Sequence, residues 1–98
     1  MRRVKWAEKA EAEFLEAIDY ISDDNPNAAE AVRQRIIETA NLLGRRPIGR
    51  PGRMLNVYEK TVLKTSYILA YEVTDEEINI IRVIHSAQNW TPQNWPKD

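Results

Sequence analysis

The spacing of apolar positions along the chain changes period twice. Val4 and Trp6 alternate with charged neighbours and predict a short strand over Arg2 to Trp6. From Ala7 to about Asp23 the spacing turns helical. Ala10, Phe14, Ala17, Ile18 and Ile21 fall on one stripe, and Glu8, Glu11, Glu16 and Asp19 lie mostly off it. Early acids suit the positive end of a helix dipole. Asn25-Pro26 should stop this helix, because the residue before proline is pushed out of the α region. Asn25 then caps a second helix with Pro26 at its first position, where a missing N–H is no loss. Ala29, Val32, Ile36, Ala40 and Leu43 form the second stripe, and Gly44 is the expected C-terminal cap. Helices joined this tightly predict an antiparallel hairpin.

Arg45 to Met54, RRPIGRPGRM, contains Pro47, Gly49, Pro51 and Gly52 and is expected to be a loop without regular structure. Strand patterns follow over Leu55–Leu63, Tyr67–Val73 and Ile78–His85, with Lys64-Thr65-Ser66 and Thr74-Asp75-Glu76-Glu77 as hairpin turns. The last strand is the densest β-branched run in the chain. Ile78, Ile80, Ile81, Val83 and Ile84 make it nearly continuously apolar, as expected of a central strand covered on both faces. The order β-α-α-β-β-β predicts an α+β fold: an antiparallel sheet with the helical hairpin packed on one face. Residues 1–90 read as one domain and 91–98 as a C-terminal tail.

Composition adds bounds. The 98 residues suit a single modest core, and with no cysteine there is neither a disulfide framework nor thiolate chemistry. No apolar run approaches the ~20 residues of a membrane span, and the N-terminus lacks the apolar region of a signal peptide; no membrane association and a cytoplasmic location are expected. The net charge of −1 hides an asymmetry. Arg45, Arg46, Arg50, Arg53, Lys60 and Lys64 face Glu59 alone between residues 45 and 67, a local +5 on a chain whose other residues carry −6.

Few groups carry recognisable chemistry. The glycines of RPIGRPGR lack the spacing and Lys-Ser/Thr ending of a phosphate loop. One histidine and no cysteine exclude the usual transition-metal sets, so neither metal nor cofactor is expected. His85 is a candidate general acid or base, or a strand-end histidine satisfied by hydrogen bonds. The arginines of the loop are candidates to clamp phosphates or receive an acidic partner segment, against a solvated loop that aids solubility. Tyr58, Tyr67 and Tyr71 can stack on bases or form amphipathic core edges. Trp90 and Trp95 can fold over the sheet or anchor a partner.

The ordered set of a tryptophan-ended first strand, a helical hairpin broken at Asn25-Pro26, GRPGR, a strand containing Glu59, SYILAYEV and INIIRVIHSAQNW resembles the RelE/ParE toxin superfamily, often called plasmid stabilization proteins. The resemblance implies the toxin of a type II toxin–antitoxin pair, held inactive by a cognate antitoxin. RelE-type members would imply ribosome-dependent mRNA cleavage by Arg, Lys, Tyr or His on the open sheet face. Here Ile68 stands where an arginine is expected and Ser86 where a tyrosine is expected, leaving His85 as the one RNase-like residue. ParE-like members imply inhibition of DNA gyrase, and this branch is preferred, although Tyr58 replaces its usual arginine before Glu59. A non-toxic scaffold that keeps the antitoxin groove is the third reading. The expected partner- or target-binding residues are Arg45, Arg46, Arg50, Arg53, Tyr58, Lys60, Lys64 and Trp90, with Glu59, Glu72 and Arg82 structural.

Strand alternation sharpens one expectation. Ile78, Ile80, Arg82 and Ile84 should share the helix-covered face, and Asn79, Ile81, Val83 and His85 the open one, unless a bulge intervenes. Arg82 would then need a carboxylate, Glu72 being the first candidate and Glu59 the second, and His85 would face solvent.

Overall fold

The computed structural model describes residues 1–87. Its elements are β1 (Arg3–Trp6), α1 (Glu8–Asp24), α2 (Pro26–Arg45), β2 (Arg50–Pro51), β3 (Tyr58–Thr61), β4 (Tyr67–Val73) and β5 (Glu77–His85). They form an α+β fold whose sheet has the order β1-β5-β4-β3-β2. The pairs β2–β3, β3–β4 and β4–β5 are antiparallel, as expected of a meander. The first strand completes the sheet differently: β1 lies parallel to β5, with Arg3 opposite Glu77 and Trp6 opposite Ile80. β5 therefore lies inside the sheet, between β1 and β4.

The helical hairpin forms where its stripes and breaker predict. Asn25 closes α1 through its N–H to the Ile21 carbonyl and opens α2 by accepting the Ala28 N–H on Oδ1 at 3.1 Å. Gly44 has another role than the expected cap. It lies inside the last turn of α2, which runs on to Arg45, and a Cβ there would come within 2.9 Å of the Arg2 carbonyl oxygen and of Val4 Cγ2. The glycine lets α2 approach β1, and its carbonyl accepts the Arg2 N–H at 2.8 Å.

Two apolar clusters flank the sheet. On the helix side Ala10, Ile36, Ala40 and Leu43 pack against Leu69, Tyr71, Ile78, Ile80 and Val83. On the other side Val57, Ile68, Ala70 and Ile84 form a smaller cluster joined by Met54 and Ile81. The loop also departs from expectation, because Arg50 and Pro51 pair with Glu59 and Tyr58. Proline is tolerated there because β2 is an edge strand and needs no ladder donor on its outer side.

A bulge corrects the predicted faces of the last strand. Tyr71 lies opposite Ile80 and Ala70 opposite Arg82, which leaves Ile81 as the extra residue of β5. One inserted residue reverses every later side chain. Ile78 and Ile80 face the helices as expected, but beyond the bulge Val83 joins that cluster and Ile84 the opposite one. His85, paired with Tyr67 on the helix side, is thus on the face opposite to the expected one.

Candidate functional site

Arg82 is 3% exposed and ion-paired, as a buried guanidinium requires, but its partner is Glu13 of α1 rather than Glu72 or Glu59. Arg82 Nε donates to Glu13 Oε1 at 2.9 Å, and Nη2 contacts Oε2. The Val83 N–H adds a bond to Glu13 Oε1 at 3.0 Å. β1 ends opposite Ile80, so past that point no strand among the described residues covers that edge of β5. The Glu13 carboxylate takes over that edge and satisfies its backbone donor. Glu72 instead stands exposed opposite Asn79. Strand alternation alone points to no residue of α1. The available signal was that Glu13 falls three residues after Ala10 and four before Ala17, an acid set on the apolar stripe.

Glu59 makes the second clasp. It is 4% exposed, accepts the Arg53 N–H on Oε2 at 2.8 Å and lies 3.5 Å from Arg53 Nε. A Cβ on Gly52 would stand 2.8 Å from both Glu59 Oε2 and the Val57 carbonyl oxygen, so only glycine lets the loop come this close. The Gly52 N–H donates to Val57 at 2.7 Å and the Val57 N–H to Met54 at 3.1 Å, closing a turn in which Asn56 takes a φ of 65°. Asparagine tolerates that left-handed conformation. The start of the loop is held too, since the Gly49 N–H donates to Tyr71 Oη at 2.7 Å. Burial pushes the Tyr71 phenol above its ordinary pKa, with the Gly49 hydrogen bond pulling the other way and Tyr58 nearby adding to the rise. Tyr58 stacks on Tyr71 with ring centroids 5.9 Å apart, so these tyrosines are partnered with each other at the sheet's rim.

The basic residues expected to form one binding patch are distributed. Arg45 and Arg46 close α2, Arg50 and Arg53 belong to the β2 loop, and Lys64 sits in the β3–β4 turn with a φ of 62°. Lys60 lines a groove against α2 together with Arg35, Glu38, Thr39, Leu42 and Leu63. Arg53 and Tyr58 share a depression of about 380 Å³ lined by residues 51–58, and Arg50, just before it in the chain, lies opposite Glu59. Trp90 and Trp95 lie outside the described residues.

His85 is half-buried, its ring set edge-on to Tyr67 at 5.3 Å, and its Nδ1 accepts the Ala87 N–H at 3.1 Å. The Tyr67 hydroxyl is raised above its ordinary pKa by burial and then by Tyr20. On the face away from the helices Ile68 is buried beside Ala70, Ile84 and Val57. Among the described residues no group of three or more acidic or histidine side chains is arranged to hold a metal ion, and no helix is long and apolar enough to cross a membrane.

The family described as ParE toxin of type II toxin-antitoxin system, parDE, matches residues 4–90. The chain belongs to the ParE toxin family. A relative from Sinorhizobium fredii, named toxin Y4kP, is 32% identical over 90 residues, covering 91% of this chain and 93% of its own length. Toxin RelE2 of Caulobacter vibrioides is 29% identical over 89 residues, covering 90% and 99%. The ParE-type architecture is also present in the chromosomal ParDE system of P. aeruginosa, a solved structure matched with a TM-score of 0.80 at 26% identity over 87% of this chain and 96% of that one. The E. coli DinJ-YafQ toxin-antitoxin complex shares the fold at a TM-score of 0.59 and 15% identity, covering 88% and 93%.

Proposed function

We propose that this ParE-family toxin arrests growth in the cytoplasm by poisoning DNA gyrase and is neutralised by a cognate antitoxin. The observation that carries the target assignment is the chemistry of the open sheet face. Cleaving RNA requires groups that move protons and stabilise a pentavalent phosphate, and these must converge on one surface. On that side of the sheet Val57, Ile68, Ala70 and Ile84 form a buried apolar cluster, while His85 lies on the other side against Tyr67. The antitoxin reading draws support from the basic segment: an acidic, partly disordered segment that folds on binding would meet Arg45, Arg46, Arg50 and Arg53.

A second reading, ribosome-dependent mRNA cleavage, is favoured by the relative named RelE2. Induced expression separates the two. A gyrase poison induces the DNA-damage response and blocks supercoiling by purified gyrase while mRNA stays intact. Codon-positioned cuts on translated mRNA, abolished by His85→Ala, would establish the second reading in its place.

A further inference from the structure

We infer that the sheet face away from the helices is a docking surface for the chain's own C-terminal segment: residues 88–98, QNWTPQNWPKD, fold back over it with Trp90 seated on Ile68 and Ile84. An antiparallel sheet packed on one face commonly turns polar side chains outward on the other. This one carries apolar side chains there and buries them. Residues directly opposite on neighbouring strands share a face, so Thr61, Ile68 and Ile84 form one row across β3, β4 and β5. Thr61 is exposed, Ile68 is 6% exposed and Ile84 0%. The next row, Glu59, Ala70 and Arg82, is buried throughout. Beyond it Glu72 is exposed and Asn79 half-buried. The cover therefore lies over the two rows nearest the His85 end of the sheet.

The β2–β3 turn accounts for one side of that cover. Arg53 closes over Glu59, and Met54 packs against the apolar cluster. Burial along the Thr61 row deepens in the other direction, toward β5. It is a property of the single chain, so what shields Ile84 belongs to that chain. The segment starts in the right place. β5 ends at His85, next to Ile84, and Ser86 and Ala87 after it are exposed. Trp90 lies within about 10 Å of chain length from Ala87, and the step from β5 to β4 is about 4.8 Å. An indole is the largest apolar group the segment can bring to the face. Pro92 and Pro96 disfavour helix at the residues before them, which suits an extended path across strands. An RNA or a protein that needs this face must displace Trp90 first.

Nuclear magnetic resonance on the full-length toxin tests the inference whatever the toxin's target is. The Trp90 indole protons should show nuclear Overhauser contacts to the methyl groups of Ile68 and Ile84. Trp90→Ala should lower the melting temperature by about 5 °C or more. In an Ile84→Ala background the same substitution should cost less than half as much, because the contact is already gone. Absence of the Overhauser contacts overturns the inference. So do equal losses from Trp90→Ala in the two backgrounds, or an unchanged melting temperature in the parent background. Contacts found only between differently labelled copies also overturn it, and would make a second copy's segment the cover. The Overhauser contacts are read on the parent, so the test stands even where a variant fails to fold.

Discussion

Two buried clasps in this molecule are built from the same parts and are inverted. In each, a glutamate joins an arginine and a backbone N–H: Glu13 with Arg82 and the Val83 amide, Glu59 with Arg53 and its own amide. In the first the arginine side chain is the desolvated member, 4% exposed against 21% for Glu13. In the second the carboxylate is desolvated, 4% exposed against 28% for Arg53. The first binds α1 to the centre of the sheet. The second binds a surface turn to the sheet's rim. The open member of each pair is the one that can relax into water, so the two clasps should fail differently when cut.

The largest effect is expected at Arg82. Arg82→Ala removes the desolvated member of a pair that joins helix to sheet and leaves a β5 edge donor dependent on an unpaired carboxylate. Breaking such a pair costs about 3–5 kcal/mol, lowering the melting temperature by more than ~10 °C in a domain of this size. Circular-dichroism melts check this; a variant melting within a few degrees of the parent would break the comparison at its stronger end. Glu59→Gln should come next, at about 1–2 kcal/mol, because Arg53 can turn to solvent and the amide oxygen still accepts the loop N–H. Its mark should be local: hydrogen exchange at the Arg53 amide quickens far more than global unfolding does. Equal quickening throughout the chain would mean that this clasp, too, holds the fold.

Tyr71→Phe should cost about 1 kcal/mol through the lost bond to Gly49. It also has a pH signature. Burial raises the phenol's pKa in the fold, so its contribution is complete below the ordinary value near ~10 and is lost as pH rises through the higher folded value. The variant should lose stability less steeply than the parent in alkaline melts; parallel curves would assign the alkaline limb elsewhere. His85→Ala should have the smallest effect, about 1 kcal/mol or less, since what it removes includes an edge contact with Tyr67 and a bond accepted from the Ala87 N–H, both at the strand's end. Full retention of growth arrest in that variant would sharpen the contrast between a histidine that packs and one that reacts.

The local features of the fold were legible in the sequence. The stripes of α1 and α2, the Asn25-Pro26 junction, and the turns before β4 and β5 follow from side chains whose preferences act over a few residues. Features that depend on distant partners were not. The bulge at Ile81 is hidden because residues on both sides are apolar, so alternation carries no sign of which face each one takes. Glu13 and Arg82 are far apart in the chain, and strand alternation points only to acids on neighbouring strands. Arg50 and Pro51 enter the sheet despite a composition that argues for irregular structure, because Glu59 and Tyr71 supply the anchors from neighbouring strands. The importance of Glu59 was visible as an acid alone in a basic segment, whereas its grip on Arg53 required the folded loop.

The parallel pairing of β1 with β5 also governs when the protein can exist at all during its own synthesis. Among the described residues the first strand finds its one strand neighbour in β5, Arg3 opposite Glu77. Until β5 leaves the ribosome, the helical hairpin has no Ile78, Ile80 or Val83 to cover and β1 has no ladder. Non-local pairings of this kind form late because the intervening chain must be closed first. A nascent toxin is therefore without its finished surface until β5 has been made, and an arrested or truncated chain lacking β5 should be harmless to the cell that makes it.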